Sequence, residues 1–521
     1  MSRLNVRIAM MLLLLHLPLC TLNAQAKQGV QISAEYIVAP LFKGVSENAA
    51  VQIRIFSPEN NAITFTRLNI RLDPRAIDAI ERVAVHQSKR YERGFDRSML
   101  IGSAKPSQDL SIAIDLKVEQ GLTYAWVSVA LKHNADIDSK LNLRVTSLNT
   151  DTGGLHLVDQ DEEDGFAFRT GIALRKAWDD SAHTYRIPGL ITTDKGTLIA
   201  VYDIRHKSSR DLPGNVDVGM SRSTDGGETW EPMKTIMDMG PPHENNGIGD
   251  PCILFDPATR TIWVAALWSK GNRSIAGSEP GLSPDSTGQF VLVSSKDDGL
   301  TWSQPYNITS QVKDPKWHLY FQGPGSGIAM ADGTLVFPSQ FWDESKKPGM
   351  PHSSIIYSTD YGKTWRSGNG AKPNTTESQV VETTPGVLML NMRDNRGKFR
   401  SIFTTKDFGE TWLEHHTSQE ALPDPVCMAS IVKANVKTSA GMKEILFFSN
   451  VATSTARKNT TIKASLDLGE SWPEQNQLLL DERRTYGYSS LARIDENTIG
   501  LLYEGERDLY FVRVPVNEII K

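Results

Sequence analysis

The sequence predicts an all-β chain, a six-bladed β-propeller preceded by a smaller β-sandwich. Three observations lead there. The pattern Ser/Thr-x-Asp-x-Gly-x-Thr/Ser-Trp occurs five times, ending at Trp230, Trp302, Trp365, Trp412 and Trp472. Six other stretches around those copies read as β-hairpins. Ahead of them, residues 27–165 alternate in strand fashion without any copy of the pattern.

Each copy has the same physical reading. A strand runs into the Ser or Thr, the Asp carboxylate bonds the amides of its own turn, and the Gly supplies φ > 0. The chain then reverses into a strand that opens with a Trp, a large apolar anchor. The other hairpins are 186–205, 250–268, 325–342, 377–394, 426–450 and 489–504. Two hairpins make one four-stranded blade, so the count gives six blades, the last one incomplete. Only LYFVRVP at 509–515 follows the sixth hairpin, and FAFRTGIAL at 166–174 is expected to add the missing outer strand. That latch would remove exposed sheet edges. With strands A to D counted outward from the centre, the start of A, the end of B and the start of C share one rim. The Asp turns, between C and D, share the other. The repeat is therefore read as structural, and function is expected at the opposite rim.

Of 521 residues, 1–26 read as an export signal: Arg3 and Arg7, an apolar run from Ile8 to Leu19, then Ala24-Gln25-Ala26. The mature protein is expected in the periplasm or outside the cell; lipoprotein anchoring at Cys20 fits less well. No later run is long and apolar enough for a membrane-spanning helix. A net charge of −5 offers no basic footprint for nucleic acid. Three Cys are too few for a disulfide scaffold, and Cys252 and Cys427 are read as buried free thiols. The domains are taken as 27–165 and 166–521, with the acidic run 159–164 as linker or solvated turn. Carbohydrate binding and a plain spacer role are both open for the first. LYFQG at 319–323 looks like a protease-tag remnant, but it lies mid-chain before Pro324-Gly325-Ser326-Gly327 and is read as native.

Charges gather at the expected functional rim. Arg186 opens the first inner hairpin and Arg205 closes it; Asp211 follows in the next loop and Asp250 opens the second. Glu377 opens the fourth and Arg393 closes it; Arg457 precedes a C strand, Tyr488 enters the last inner hairpin and Glu504 closes it. One exposed Arg is ordinarily a solvated surface charge. Several from different blades at one channel mouth repel each other unless an anion or carboxylates compensate. Planar guanidinium groups grip a carboxylate at two points.

At these residues the sequence resembles the bacterial sialidases (neuraminidases), six-bladed propellers with "Asp boxes" and an Arg-Ile-Pro signature. Here the signature is Tyr185-Arg186-Ile187-Pro188, and TESQVVE (376–382), LNMRDN (390–395), YGYSSL (486–491) and LLYE (501–504) extend the likeness. The resemblance implies an exo-α-sialidase acting on sialylated glycans, glycoproteins or glycolipids, with retention through a covalent Tyr intermediate. It implies that Arg186, Arg393 and Arg457 hold the sialic acid carboxylate, that Asp211 is acid/base, Tyr488 nucleophile and Glu377 its base. Glu504 would orient Arg186, and Arg205 and Asp250 would lie near the sugar's 4-hydroxyl. Trp268 and the pair Phe341-Trp342 are candidate walls of the N-acetyl pocket.

The residue types suit this sugar. Its carboxylate sits on the anomeric carbon, where an Asp or Glu nucleophile would meet like charge. A neutral Tyr avoids that repulsion, and Glu377 can take its proton during attack. The chemistry needs no metal, and no cofactor is expected. His415-His416 is the only adjacent His pair, lies beside an Asp turn away from the functional rim, and no His-Glu-x-x-His segment exists, so a zinc site is not expected. The alternatives are a trans-sialidase, an intramolecular trans-sialidase, or a sialic acid lectin that keeps the Arg triad.

Overall fold

The computed structural model describes residues 29–58, 60, 62–88, 95–159 and 164–521. The expected export signal with Cys20, and residues 160–163 of the acidic run, lie outside the described residues. Alternation builds the first unit. In Asp109–Val118 every second side chain (Leu110, Ile112, Ile114, Leu116, Val118) is buried. That strand belongs to a sheet with Ile63–Leu72 and Lys140–Thr150, facing a five-stranded sheet centred on Asn48–Ser57, Gly121–Leu131 and Ile80–Gln87. Residues of both sheets share one apolar core, as a β-sandwich requires.

Six antiparallel sheets follow. The first runs outward as Thr184–Thr192, Leu198–Arg205, Val216–Ser223 and Lys234–Met237, strands A to D. The later inner strands are Asn246–Asp256, an interrupted edge in the third sheet, Thr375–Thr384, Ser430–Thr438 and Ser489–Arg493. The ring closes where the first inner strand meets the last: Leu190 N donates to Ser490 Oγ and Thr192 Oγ1 to Arg493 O. The third inner edge differs from the expected 325–342 hairpin. Leu319–Gln322 and Ile328–Ala329 both pair with Leu335–Trp342, while Gly325–Ser326 pairs with the neighbouring second sheet. Gly323-Pro324-Gly325 breaks the strand, since proline has no amide to give and Gly325 takes φ 103°. The LYFQG stretch is thus a buried inner strand of the ring.

All five Asp turns connect C to D and repeat the same bonds. In the fourth, Thr405 Oγ1 and Thr411 N donate to Asp407 Oδ1, Thr411 Oγ1 to Asp407 Oδ2, and Gly409 N to Thr405 Oγ1. These bonds from Thr411 and Thr405 hold the Asp407 carboxyl down at about 2.

Phe166–Arg175 completes the sixth sheet, Ile172 lying opposite Phe511, while its first residues pair with the sandwich, Phe166 opposite Leu143. One strand therefore serves both units. The short strand Leu41–Lys43 also pairs beside it. Its Phe42 is fully buried in the ring's core, stacked 4.1 Å from the Tyr510 ring. Cys252 and Cys427 are buried free thiols.

Two outcomes are expected. Phe42→Ala removes a ring that the sandwich lends to the propeller core, and should cost about 3–5 kcal/mol in denaturant unfolding of the full chain. Asp407→Asn tests the turn. Its folded pKa lies below the unfolded value, so its stabilisation is complete above the unfolded pKa and fades as pH falls towards the folded one. The stability gap between wild type and variant should be full above about pH 4.5 and close towards pH 2.

Candidate active site

The inner strands reach the functional rim through irregular residues. Ile187, Asp250, Val426 and Gly487 have φ of 58°, 55°, 62° and 99°. The ladder slips between Arg186 and Gly189 in the first inner hairpin and between Gly249 and Cys252 in the second. A bulge of this kind bends the strand and re-aims its side chains. Left-handed φ is costly for β-branched Ile187 and Val426, so surrounding bonds must hold them there.

Glu504 holds the first of these. Fully buried at the end of a B strand, it accepts from Arg186 Nε at 3.0 Å, Arg186 Nη2 at 3.2 Å, Ile187 N at 2.9 Å and Tyr488 N at 2.9 Å. Four donors satisfy both oxygens and fix Arg186 and Tyr488 relative to each other.

Around that anchor lies a cleft of about 440 Å³, lined by Arg186, Asp211, Asp250, Glu377, Arg393, Arg457 and Tyr488 among others. Seven of the nine residues picked from sequence thus share one cavity. Tyr488 Oη donates to Glu377 Oε1 at 2.5 Å and accepts from Arg393 Nη1 at 3.0 Å; the same Arg393 nitrogen reaches Glu377 Oε2 at 2.5 Å. Burial, then the Glu377 charge, pushes the Tyr488 phenol well above its ordinary range, so it rests neutral. Arg457 differs from its two companions: Nη1 and Nη2 donate to the carbonyls of Tyr486 and Val426. Two arginines have carboxylate partners; among the described residues the third donates only to carbonyls, so Arg457 carries no ion pair.

The other two of the nine stand behind the cleft. Glu504 does so as described. Arg205 is 1% exposed; its Nε and Nη2 reach Asp203 Oδ2 at 3.1 and 2.9 Å, and Nη2 also reaches Asp211 Oδ1 at 3.2 Å. Asp211 itself has a side chain 58% exposed at the mouth. Asp250 faces the cleft with its carboxyl pushed well above the usual range by burial and by the Asp211 and Asp203 charges. Of the suggested aromatic walls only Trp342 lines the cleft, beside Phe321, Ile275 and Ala276. Phe341 stacks between Trp317 and His352, and Trp268 Nε1 is tied to Asn246.

Sequence reading missed Asp203 and Gln340. Asp203 accepts from the strained Asp250 amide at 2.8 Å as well as from Arg205, and burial pushes its carboxyl up to about 6 against that guanidinium. The signal was present: Asp203 is two residues before Arg205 on one strand, so the side chains share a face. Gln340 is buried, lines the cleft and makes no side-chain hydrogen bond among the described residues. It stands near the end of a B strand, as Arg205, Arg393 and Glu504 do. A second cavity of about 400 Å³ opens at the other end of the channel, walled largely by apolar residues such as Leu190, Phe255 and Ile431. Its Glu382 is spent on the amides of Ala331 and Gly386.

Both units of the chain resemble known proteins. Residues 187–489 match the model of a BNR repeat-like domain, and residues 27–153 that of the N-terminal domain of BNR-repeat neuraminidase. The chain is 48% identical over 424 residues to a sialidase of Bacteroides fragilis, covering 80% of this chain and 77% of that one. It is 33% identical over 329 residues to a sialidase of Micromonospora viridifaciens, covering 61% of this chain and 50% of that one. The structure is similar to Hadza microbial sialidase Hz136, with TM-score 0.86 and 39% identity over 94% of this chain and 100% of that one. Trypanosoma rangeli sialidase, at TM-score 0.55 and 20% identity over 69% and 57% of the two chains, shares the fold.

Asp203→Asn is expected to leave the buried Arg205 charge without its main partner. Unfolding stability should fall by about 3–5 kcal/mol. A loss below about 1 kcal/mol in denaturant titration would mean that Asp203 does not brace this corner.

Proposed function

The chain belongs to the sialidase family of BNR-repeat neuraminidases, and from that premise we propose that it hydrolyses terminal α-linked sialic acids with retention, through a covalent bond to Tyr488 Oη. The observation that carries this reading is the Tyr488 phenol seated between Glu377 and Arg393. Arg186, Arg393 and Arg457 take the sugar carboxylate, Arg457 being the guanidinium without an ion pair among the described residues. Tyr488 attacks the anomeric carbon as a neutral group, and its proton passes to Glu377 along the existing hydrogen bond. Asp211, exposed at the mouth, gives a proton to the departing oxygen and then takes one from the water that displaces Tyr488 Oη from the anomeric carbon, while Glu377 returns the proton to the phenol. Asp250 faces the cleft, where its carboxyl can bond a sugar hydroxyl; Arg205 holds Asp211 and Asp203 from behind. Phe321, Trp342, Ile275 and Ala276 form a mostly apolar wall with the open amide of Gln340, a fit for an N-acetyl group.

The test is product stereochemistry and the trapped residue. From an α-sialoside, NMR before mutarotation should show the α-anomer first, and a fluorinated sialosyl donor should label Tyr488. The β-anomer first, or an adduct elsewhere, defeats the proposal. Arg393→Lys keeps the charge but loses the planar grip, and kcat/KM should fall by the equivalent of roughly 2–5 kcal/mol. Asp211→Ala should slow substrates with poor leaving groups far more than aryl sialosides, measured as the ratio of their kcat/KM values.

A further inference from the structure

The fold brings a third donor to the His415-His416 pair that the sequence left alone. Glu470 lies 55 residues on, in the fifth Asp turn, and its carboxylate reaches across to the end of the fourth sheet. Glu470 Oε1 is 3.4 Å from His415 Nε2, and Oε2 is 3.7 Å from His416 Nε2. The three ligand atoms lie within 4.8 Å of one another, and this is the one such cluster of His, Cys, Asp and Glu among the described residues. We infer that His415, His416 and Glu470 form a binding site for a divalent transition-metal ion of the zinc class, clasping the fourth and fifth sheets on the rim opposite the cleft.

Three features support it. The first is spacing. Charge-assisted hydrogen bonds run at about 2.7–2.9 Å, so 3.4 and 3.7 Å are long for pairs that bond only each other. Ligands about 2.0–2.1 Å from a tetrahedral ion stand about 3.3 Å apart, close to what is seen here. The His416 ring then has only to swing inward, and a side chain 61% exposed is free to do so. The second is orientation. His415 Nδ1 accepts from the Thr417 amide at 3.4 Å and lies 2.8 Å from Thr417 Oγ1, which fixes the ring with Nε2 turned toward Glu470. An ion at Nε2 would take the place of the proton there and move it to Nδ1, where the Thr417 hydroxyl can accept it, the outer-shell arrangement typical of metal-bound histidine. The third is donor type. Two imidazoles and one carboxylate suit zinc, nickel or copper, and not calcium or magnesium, which take oxygen ligands.

The site holds no group of the cleft, so its role is to fasten two sheets where each is otherwise joined only by packing and hydrogen bonds. Full-length protein, stripped with EDTA, is titrated with ZnCl2 by calorimetry and then unfolded thermally with and without the ion. One Zn2+ per chain should bind in the micromolar range and raise Tm. His416→Ala and Glu470→Gln change exposed side chains and should leave the fold intact; each should weaken binding at least about tenfold and abolish the Tm shift. Wild-type binding weaker than about 1 mM, or equal binding by all three proteins, overturns the inference. So does a Ca2+ effect equal to that of Zn2+.

Discussion

The site depends on one buried carboxylate. Glu504 belongs to the sixth sheet, Arg186 and Ile187 to the first, and they meet only because the ring closes. The same carboxylate receives the Tyr488 amide, so the binding arginine and the phenol share a common reference point. It also holds Ile187 in a backbone conformation that a β-branched residue avoids. Charge, strain and ring closure are here a single arrangement, and its energy comes from four satisfied donors on a group that could not otherwise be buried.

Compensation is uneven around the cleft. Arg186 and Arg393 each have a glutamate, while Arg457 leans on two backbone carbonyls. An entirely compensated trio would have little pull on an anion, and an uncompensated one would not pack. Arg457 is thus the guanidinium most open to a carboxylate from outside. A neutral Tyr488 keeps this balance, because an anionic nucleophile would cancel the charge that draws the substrate in.

Much of this was legible in the chain itself. The Asp turns were readable because each closes its bonds within a few residues, and counting them against the remaining hairpins gave the ring. Arg186, Asp250, Glu377 and Arg393 were readable because they stand near strand ends on one rim, while Asp211 and Arg457, in loops, and Tyr488 were readable through the sialidase motifs. Depth was not: Arg205 and Arg393 occupy equivalent positions, yet only the structure shows Arg205 turned inward to Asp203 while Arg393 faces the cleft. Side-chain direction also separated Trp342 from Phe341, whose ring is claimed by Trp317 and His352. The boundary at 165/166 looked clean because alternation cannot tell which sheet a strand joins. Phe42 crosses that boundary, as does the strand that pairs on one side with Leu143 and on the other with Phe511.

That shared strand sets an order of events during synthesis. Residues 166–175 leave the ribosome long before 509–515, so the strand that completes the ring waits for nearly the whole chain to appear. Its first residues pair instead with Lys140–Thr150, which is made just before it. The free half of the strand is then a prepared edge held at a fixed place, and the last sheet has a template instead of a search. The sandwich thereby holds in place the strand on which closure of the ring depends.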